Sequence, residues 1–445
     1  MSFPRYPEYK DSGAAWLQDV PAHWEVICAR RLFDERCDAS LDEDEQLSAT
    51  QRYGVIPQRL FMDTEDQKVV LALAGTSNFK HVQADDFVIS LRSFQGGIEH
   101  SKYQGCVSPA YTVLRANKPI APRYWAYTLK CSSYISALQT VTAGIREGKN
   151  ISYSQFGSLE LPVPSLEEQL AISRMLDNET AKIDALIAEQ ETLLALLAEK
   201  RQATISHAVT RGLDPDVPMK DSGVAWLEKV PAHWRVTKCG RFLSILSGFA
   251  FPSIGFDHSG NGARLLRGVN VSVGSLRWDD VVFWERSPND GLDDYELKIG
   301  DLLIGMDRPL IAAGIRVAMV KAEDVPCLLL QRVASLRTSS DLVSDFLMHY
   351  LSTPMFVAHF SPDTTGVSVP HISPDQIASF AIAVPPISEQ LQIVDLLDQE
   401  LTRLDLLREQ AEQAIDLLKE RRSALIAAAV TGKIDVRGQV EAQAE

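Results

Sequence analysis

The sequence has 445 residues, of which 45% are hydrophobic and 23% are charged, and its formal net charge is −15. This composition is that of a soluble globular chain with room for about three domains. It contains no apolar run near the roughly 20 residues that span a bilayer, and its first residues, MSFPRYPEYK, lack the apolar centre of a signal peptide. We therefore expect a cytoplasmic protein.

The charge and the cysteines narrow the functional classes further. An acidic balance argues against tight DNA binding by the chain alone, because nucleic-acid proteins usually carry a basic footprint. It leaves room for DNA binding where basic groups gather on one face or where a partner supplies positive surface. The six cysteines form no close CxxC pair and the nine histidines show no metal spacing, so we expect reduced cysteines and no metal site.

Two pairs of segments show that the chain is duplicated. KDSGAAWLQDVPAHWEV begins at Lys10 and KDSGVAWLEKVPAHWRV begins at Lys220, with 13 of 17 positions identical. VPSLEEQLAI begins at Val163 and VPPISEQLQI begins at Val384, and each leads into a long helical pattern. One scaffold that carries two different surfaces favours recognition of a bipartite target.

The first variable region, roughly 27–160, has the pattern of a mixed α/β domain. Its strand-like runs are Val69–Ala74, Asp86–Leu91 and Val107–Leu114, and its helical stretch is Pro122–Gln139.

A first long helix is predicted between Pro164 and Gly212. Ser165 and Glu168 have capping-box spacing at its start. Apolar residues then recur in a heptad pattern, which needs a partner helix. The predicted seam contains Leu176, Ile183, Leu186, Leu193 and Leu197.

The second variable region, roughly 237–380, resembles the first. Its strand-like runs are Asp301–Met306, Ile315–Val320 and Leu328–Leu336, and its helical stretch is Asp341–Phe360. GDLLIGMDR at 300–308 resembles DDFVISLRS at 85–93, and TTGVSVPHIS at 364–373 resembles TAGIREGKNIS at 142–152. We expect corresponding turns in corresponding places, with different side chains on them.

A second long helix is predicted between Pro386 and Gly432, with a seam at Leu397, Leu404, Leu407, Leu418 and Leu425. The two helices together predict an antiparallel coiled coil about 50 Å long. In that pairing Glu179 can face Arg421 and Lys200 can face Glu400, unless these are solvated flanking charges.

Polar turns of the two variable regions are the best candidates for DNA contact. Arg can bind guanine through two hydrogen bonds, Gln can bind adenine in the same way, and Asp can accept from cytosine. Lys and Arg can also hold phosphates. For any single residue the alternative is an ordinary solvated loop. The candidates are Arg92, Ser93, Gln95, Arg146, Lys149, Asn150, Asp307, Arg308, Thr364, Thr365, Ser368 and His371.

Catalytic motifs are missing from the sequence. A DNA adenine methyltransferase needs a glycine-rich loop for S-adenosylmethionine and an NPPY-like loop for the flipped base, and an ATPase needs GxxxxGK(S/T). Neither pattern occurs, since Pro385-Pro386 follows Val384 without the preceding Asn or Asp. We therefore expect a non-catalytic chain.

The repeated DSGxAWLxxVPAHW segments, the EQLxI helix entries and the AVTGKID helix exit resemble the specificity subunit of type I restriction–modification enzymes. The resemblance covers both copies and so nearly the whole chain. It implies two target-recognition domains, each of which reads half of an interrupted DNA sequence, separated by an antiparallel two-helix coiled coil. The implied segments are 1–160 and 215–382 for the recognition domains, 161–214 for the first spacer helix, and 383–445 for the second spacer helix and the tail.

The resemblance also implies partners and their cofactors. Two modification subunits would bind S-adenosylmethionine and methylate adenine, and restriction subunits would use ATP and Mg, so no cofactor is expected on this chain. Trp16, Trp24, Trp226 and Trp234 lie in the repeated motifs and are candidates for docking the modification subunits with pseudo-twofold symmetry. Packing of these four residues in the core is the competing explanation.

Two other interpretations remain open at this stage. A similar two-domain subunit could serve a fused methyltransferase–nuclease instead of separate subunits, and the sequence does not distinguish the two systems. A coiled-coil scaffold without a DNA role would explain the heptads and the acidity, but it explains the paired α/β domains poorly.

Overall fold

The computed structural model describes residues 3–65, 78–91, 93–141, 151–311, 314–360 and 371–438. The chain divides into two units, the first formed by Met1–Glu191 with Glu412–Glu445 and the second by Thr192–Ala411. Each unit contains one α/β domain, the start of one long helix and the end of the other. The predicted class, a duplicated mixed α/β fold with paired long helices, is confirmed. The units cut through both predicted spacer segments, because each domain packs on parts of both helices.

The described residues of the first unit form twelve strands and five short α-helices. The strands are Tyr9–Asp11, Asp19–Pro21, Glu25–Cys28, Phe33–Arg36, Leu47–Thr50, Gly54–Pro57, Lys80–Val82, Phe87–Ile89, Glu99–His100, Gly105–Val107, Thr112–Ala116 and Glu160–Val163. The helices are Gln58–Glu65, Ser93–Gly96, Pro122–Thr128, Ser132–Val141 and Tyr153–Ser158.

The described residues of the second unit form thirteen strands and three short α-helices. The strands are Met219–Asp221, Lys229–Pro231, Arg235–Lys238, Leu243–Ser247, Ala263–Leu266, Val282–Trp284, Leu302–Gly305, Leu310–Ile311, Gly314–Ile315, Val317–Met319, Cys327–Leu329, Val333–Thr338 and Ala381–Val384. The helices are Ser344–Leu351, Pro354–Phe360 and Pro374–Ser379.

Each domain is built on a four-stranded antiparallel sheet with the same order of strands. In the first unit the third strand, Phe87–Ile89, places Phe87 opposite Leu114. In the second unit the third strand, Leu302–Gly305, places Leu302 opposite Leu336. The predicted correspondence between DDFVISLRS and GDLLIGMDR is therefore confirmed, because both segments supply the same strand of equivalent sheets.

Three predicted strands are shorter than expected because the chain leaves one sheet for another within each run. The runs predicted at Val107–Leu114, Ile315–Val320 and Leu328–Leu336 each supply two strands that belong to different sheets. In the last of them, Arg332 adopts a φ of 69°, a left-handed conformation that interrupts an extended run. The run predicted at Val69–Ala74 lies outside the described residues.

Both predicted helical stretches are also interrupted. In Pro122–Gln139 the Leu129 carbonyl accepts a hydrogen bond from the Ile98 amide at 3.1 Å, and a second helix begins at Ser132. In Asp341–Phe360 the break falls before Pro354, which lacks an N–H donor and disfavours helical geometry in the preceding residue.

The two repeated motifs meet in each unit. In the first, His23 Nε2 lies 3.0 Å from Glu168 Oε2. In the second, His233 Nε2 lies 2.8 Å from Glu389 Oε2. The histidines belong to the PAHW segments and the glutamates to the EQLxI helix entries. The duplication therefore preserves a contact that joins the start of each domain to the start of its long helix.

The glutamine of each EQLxI entry holds the same helix start against its domain. Gln169 Oε1 accepts from the Ala121 amide at 3.0 Å and from Trp125 Nε1 at 3.1 Å. Gln390 Oε1 accepts from the Val343 amide at 2.8 Å. Both glutamines are buried, so losing these bonds would leave unpaired polar groups in the interior.

The long helices span Leu166–Arg211 and Ile387–Val430. Each is followed by a glycine in the left-handed region, Gly212 at a φ of 76° and Gly432 at 72°, as expected for a helix C-terminus. No helix within the described ranges is long and apolar enough to cross a membrane.

Ion pairs within each unit show that the helices run antiparallel, but the predicted pairs are wrong. In the first unit Arg422 Nε donates to Asp184 Oδ1 at 2.8 Å. In the second unit Arg201 Nη1 donates to Asp405 Oδ2 at 3.1 Å. Glu179, predicted to face Arg421, instead binds Lys182 on its own helix, and Lys200–Glu400 is not among the ion pairs of the described residues. Exposed pairs of this kind contribute about 0–1 kcal/mol.

Seven of the ten predicted seam residues face inward and three do not. Leu176, Ile183, Leu197, Leu397 and Leu404 are buried, and Leu418 and Leu425 are half-buried. The prediction is wrong for Leu186, Leu193 and Leu407, which are exposed. In the first helix the half-buried residues near these positions are Ile187 and Leu194. A strict seven-residue repeat drifts by about 20° per heptad around a straight helix, which moves the inner face to a neighbouring residue.

Core packing accounts for two of the four tryptophans predicted to dock partners. Trp24 and Trp234 have no exposed surface, so the docking prediction is wrong for both of them. Trp16 is half-buried and donates to the Glu160 carbonyl, and Trp226 is half-buried and stacks on Phe380.

The duplicated tryptophans differ in one hydrogen bond, which gives a paired prediction. Trp234 Nε1 donates to Glu389 Oε1 at 3.0 Å. Trp24 Nε1 is buried without an acceptor among the described residues, because the Tyr6 hydroxyl binds the equivalent oxygen of Glu168. We expect Trp234→Phe to lower the free energy of unfolding by about 1–3 kcal/mol more than Trp24→Phe, since only the first change removes a bond to a carboxylate.

Unfolding of both full-length variants in urea, followed by circular dichroism, measures this difference. The same reduction in ring size occurs in both variants, so each serves as the control for the other. A larger loss of stability in Trp24→Phe would contradict the prediction.

Candidate nucleic-acid interface

In the second unit, a cluster of polar residues lies at the end of the strand Leu302–Gly305. Asp307, which follows this strand, accepts from Arg332 Nη1 at 2.7 Å through Oδ2, and its Oδ1 lies 2.7 Å from His371 Nδ1. The backbones of Asp307 and His371 also form an antiparallel bridge. Two residues predicted separately from the sequence, Asp307 and His371, thus lie in one cluster. Arg308 lies beside it and is exposed.

The Asp307 carboxylate is ionised and engaged on both oxygens. Partial burial alone would raise the pKa of Asp307, but the bonds from His371 and Arg332 outweigh it and hold that pKa below its usual value. The side chains that the cluster presents to solvent are Arg332, 71% exposed, and His371, 50% exposed. Asp307 therefore orients two exposed groups, a role that the sequence does not predict.

Arg316 fixes the backbone beneath this cluster. Its Nε donates to the Val271 carbonyl at 2.9 Å and its Nη1 donates to the Asp307 carbonyl at 3.0 Å. Burial lowers the pKa of Arg316 against the opposing effect of Asp307, but a guanidinium stays charged in proteins. The turn that carries Asp307 is thus held in place by a partly buried cation.

The equivalent turn of the first unit is arranged differently. Ser93 is buried, and its Oγ accepts from the Ser90 amide at 2.8 Å. Its predicted contact with DNA is therefore wrong, because its side chain closes the turn instead of facing solvent. Gln95 is exposed. The remaining candidates, Arg92, Arg146, Lys149, Asn150, Thr364, Thr365 and Ser368, lie outside the described residues.

A cleft of about 690 Å³ lies in the first unit between the domain and the long helices. Five of its lining side chains are basic, and three are acidic, so its charge is positive although the whole chain is acidic. The basic residues are Arg52, Lys102, Arg123, Lys130 and Arg422, and the acidic residues are Glu99, Asp177 and Asp184. A net positive cleft of this kind meets the requirement that basic groups gather on one face.

Internal ion pairs hold three of the five basic residues of the cleft. Arg123 bonds to Asp177, Lys130 bonds to Glu99 at 2.7 Å, and Arg422 bonds to Asp184. Lys102 is exposed and makes no hydrogen bond or ion pair with any residue that the structure describes. It is therefore the cation of this cleft that is best placed to bind a phosphate.

Sequence reasoning missed these residues for an identifiable reason. It considered polar turns that follow strands, whereas Arg123 lies on a helix and Arg422 lies on the second long helix. Arg332 lies within a run that reads as one continuous strand. The signal that could have found it is an arginine that interrupts an apolar run, in LLLQRVASL.

The EQLxI helix entries also carry a repeated apolar surface. The Glu, Gln and Ile of each entry bind or pack inside their own unit. The leucine between them, Leu170 in the first unit and Leu391 in the second, is 40% and 48% exposed. Leu166 and Ile387, one turn earlier, are exposed as well. Their own fold does not explain why both copies keep apolar residues at these positions.

Comparison with known proteins finds relatives in sequence and in fold. The model of the type I restriction modification DNA specificity domain matches residues 276–416. The EcoAI specificity subunit of Escherichia coli is 33% identical over 211 residues, which cover 46% of this chain and 34% of that protein. The alignment thus spans about a third of that relative. The MjaVIII specificity subunit of Methanocaldococcus jannaschii is 27% identical over 325 residues, which cover 72% of each chain.

Solved structures show the same fold over nearly the whole chain. A chain from a type I R-M system studied for complex assembly and conformational transition has a TM-score of 0.63 at 17% identity, over 92% of this chain and 98% of that one. The HsdS subunit from Thermoanaerobacter tengcongensis has a TM-score of 0.54 at 17% identity, over 93% and 98%. With its duplicated motifs and its two similar domains, the chain is similar to type I restriction–modification specificity subunits in part of its sequence and in its fold.

Proposed function

We propose that this chain is the DNA-recognition subunit of a type I restriction–modification complex acting in the cytoplasm. Each domain reads one half of an interrupted DNA sequence, and the chain directs partner subunits that methylate adenine or cleave DNA. The target is asymmetric, because the two domains present different side chains.

One observation carries this proposal. The residues that join each domain to its long helix recur in both units, whereas the residues at the exposed strand ends differ. Ser152 and Ser373 form equivalent capping boxes, yet Ser93 closes the turn of one domain where the other domain has the Asp307 cluster. A scaffold that is repeated in both units, with different residues at its exposed strand ends, is the arrangement expected of two domains that recognise two different half-sites.

The repeated exposed leucines support two identical partners. Leu170 and Leu391 are equivalent positions, and so are Leu186 and Leu407, and all four are exposed. An apolar residue that is exposed in both copies is explained if each copy binds the same kind of partner there. We propose that one modification subunit docks on each helix entry, and that restriction subunits join that assembly.

We assign adenine methylation to the modification subunits and DNA cleavage to the restriction subunits. S-adenosylmethionine is proposed to bind the modification subunits, and ATP and Mg are proposed to bind the restriction subunits. This chain supplies the affinity and the sequence selection, so its own substitutions should alter where the complex acts.

The function can be tested through the adenines that the complex methylates. We expect cells that produce the chain with its modification subunits to carry methylated adenine in one interrupted, asymmetric sequence, and cells that lack the chain to carry none. Single-molecule sequencing of the two genomes measures this difference. Absence of any methylated sequence that depends on the chain would contradict the proposal.

Lys102 should contribute a phosphate contact without base selectivity. We expect Lys102→Ala to weaken binding of specific and random duplexes alike, and to lower the slope of log affinity against log salt by about 1, because one fewer counterion is released. Gel shifts of the assembled complex at several salt concentrations measure the slope.

Lys118→Ala is the matched control for Lys102→Ala. Lys118 is an exposed lysine of the same domain that does not line the cleft, so its substitution should leave the slope unchanged. An unchanged slope in Lys102→Ala would contradict the predicted phosphate contact.

Replacing the exposed leucines of the helix entries with a charged residue should prevent docking of the modification subunits. We expect Leu170→Glu to release the partner bound at the first unit, Leu391→Glu to release the partner bound at the second, and the double variant to release both. A charge placed in an apolar contact weakens binding by about 2 kcal/mol or more. Native mass spectrometry of the co-produced complexes measures the number of bound subunits.

Glu167→Gln and Ser388→Ala are the controls, because they alter exposed polar residues on the same helix turns. They should retain two modification subunits. Full occupancy in the Leu170→Glu and Leu391→Glu variants would show that docking occurs elsewhere.

A further inference from the structure

We propose that Arg332 is a base-reading residue of the second domain, which binds a guanine of its half-site, and that Asp307 is the residue that positions it. This inference rests on the proposed function. It adds a specificity-determining side chain that the sequence patterns do not indicate.

The contact between Arg332 and Asp307 leaves most of the guanidinium available. Arg332 Nη1 donates to Asp307 Oδ2 at 2.7 Å. Its other donors make no hydrogen bond within the described residues, and its side chain is 71% exposed. A guanidinium has five N–H donors in a planar fork, so an edge with two parallel donors remains free.

That free edge matches one base better than the others. In the major groove guanine presents two acceptors, O6 and N7, and an arginine can bind both at once. Adenine and cytosine each place an amino donor in the same groove, which would face the donors of the arginine. A fixed guanidinium therefore favours guanine at one position of the half-site.

Asp307 fixes the direction of that fork. Its own position is set by the Arg316 bond to its backbone carbonyl and by the His371 bond to its other carboxylate oxygen. The groups that face the carboxylate within the described residues are thus Arg332 and His371, and both favour its charged form. A long side chain held by a charge-assisted bond loses less conformational freedom when it binds.

The backbone at this turn gives an independent observation. Arg332 and Arg308 adopt φ values of 69° and 46°. Non-glycine residues rarely occupy this left-handed region, and such strain clusters at functional sites. Glycine would fit both positions more easily, so packing alone does not require arginine at either one.

Selection of duplexes from a randomised pool tests the inference, with the full chain assembled with its modification subunits. We expect the parent complex to enrich an interrupted motif with a guanine in one half. Arg332→Lys and Arg332→Gly should lose the preference for that guanine, a change of roughly 5- to 150-fold, and keep the rest of the motif. Asp307→Asn should weaken the preference at the same base pair, and the Asp307→Asn, Arg332→Gly double variant should be no worse than Arg332→Gly.

The Arg332→Gly variant separates base reading from folding. Glycine relieves the left-handed backbone, so we expect a melting temperature equal to or above that of the parent. Arg286→Ala is the matched control, because Arg286 is also held by aspartates, Asp290 and Asp293, in the same unit. It should enrich the same motif as the parent.

The outcomes are distinct. A parent complex that enriches no sequence overturns the proposed function and this inference with it. A parent that enriches an interrupted motif, with Arg332 variants that enrich the same motif, overturns the inference alone. So does loss of a whole half-site in Arg332→Gly, because a single base contact would leave the other positions selected.

Discussion

The structure of each unit depends on the contact between the PAHW histidine and the glutamate of the helix entry. His23 and Glu168 form it in the first unit, and His233 and Glu389 form it in the second. Together with Gln169 and its equivalent Gln390, this contact joins three parts of each unit: the first strands of the domain, the start of one of its short helices, and the start of a long helix. Because the glutamines are buried, the joint is specific in geometry as well as favourable in energy.

This joint explains why some residues repeat and others do not. The scaffold residues recur because each copy must place its domain on its helix in the same way. The exposed ends of the strands are free of that constraint, so one domain can carry a buried serine cap where the other carries Asp307, Arg332 and His371. Positive charge is likewise local, as the cleft of the first unit shows, and an acidic chain can still offer basic surfaces to DNA.

The arginines of the two units serve different purposes. Arg123 bonds to Asp177 and holds the first domain beside a long helix, whereas Arg422 bonds to Asp184 and joins the two long helices. Arg316 is partly buried and supports a turn. Arg332 is held at one donor and exposed elsewhere. Counting basic residues would not distinguish these roles, because the number of engaged donors is what separates a structural arginine from one that can bind a ligand.

The sequence by itself determined the features that depend on local or repeated patterns. These are the duplication, the bounds of both long helices, the capping residue Ser165 of the first helix, and the equivalence of the strands that precede the polar turns. Helix caps and heptads act over a few residues, and a repeat is visible without any coordinates. Most seam positions of the long helices were also predicted correctly. The errors at Leu186, Leu193 and Leu407 came from extending a seven-residue repeat along helices that turn every 3.6 residues.

Only the tertiary structure decided which distant side chains meet. Asp307 lies 25 residues from Arg332 and 64 residues from His371 in the chain, and sheet register brings them together. The same register broke the run Leu328–Leu336 at Arg332 and turned its side chain outward. Long-range contacts of this kind depend on the packing of whole strands, and no local pattern of residues encodes them. The burial of Trp24 and Trp234 and the exposure of Leu170 and Leu391 were decided in the same way, by what the folded core had room to cover.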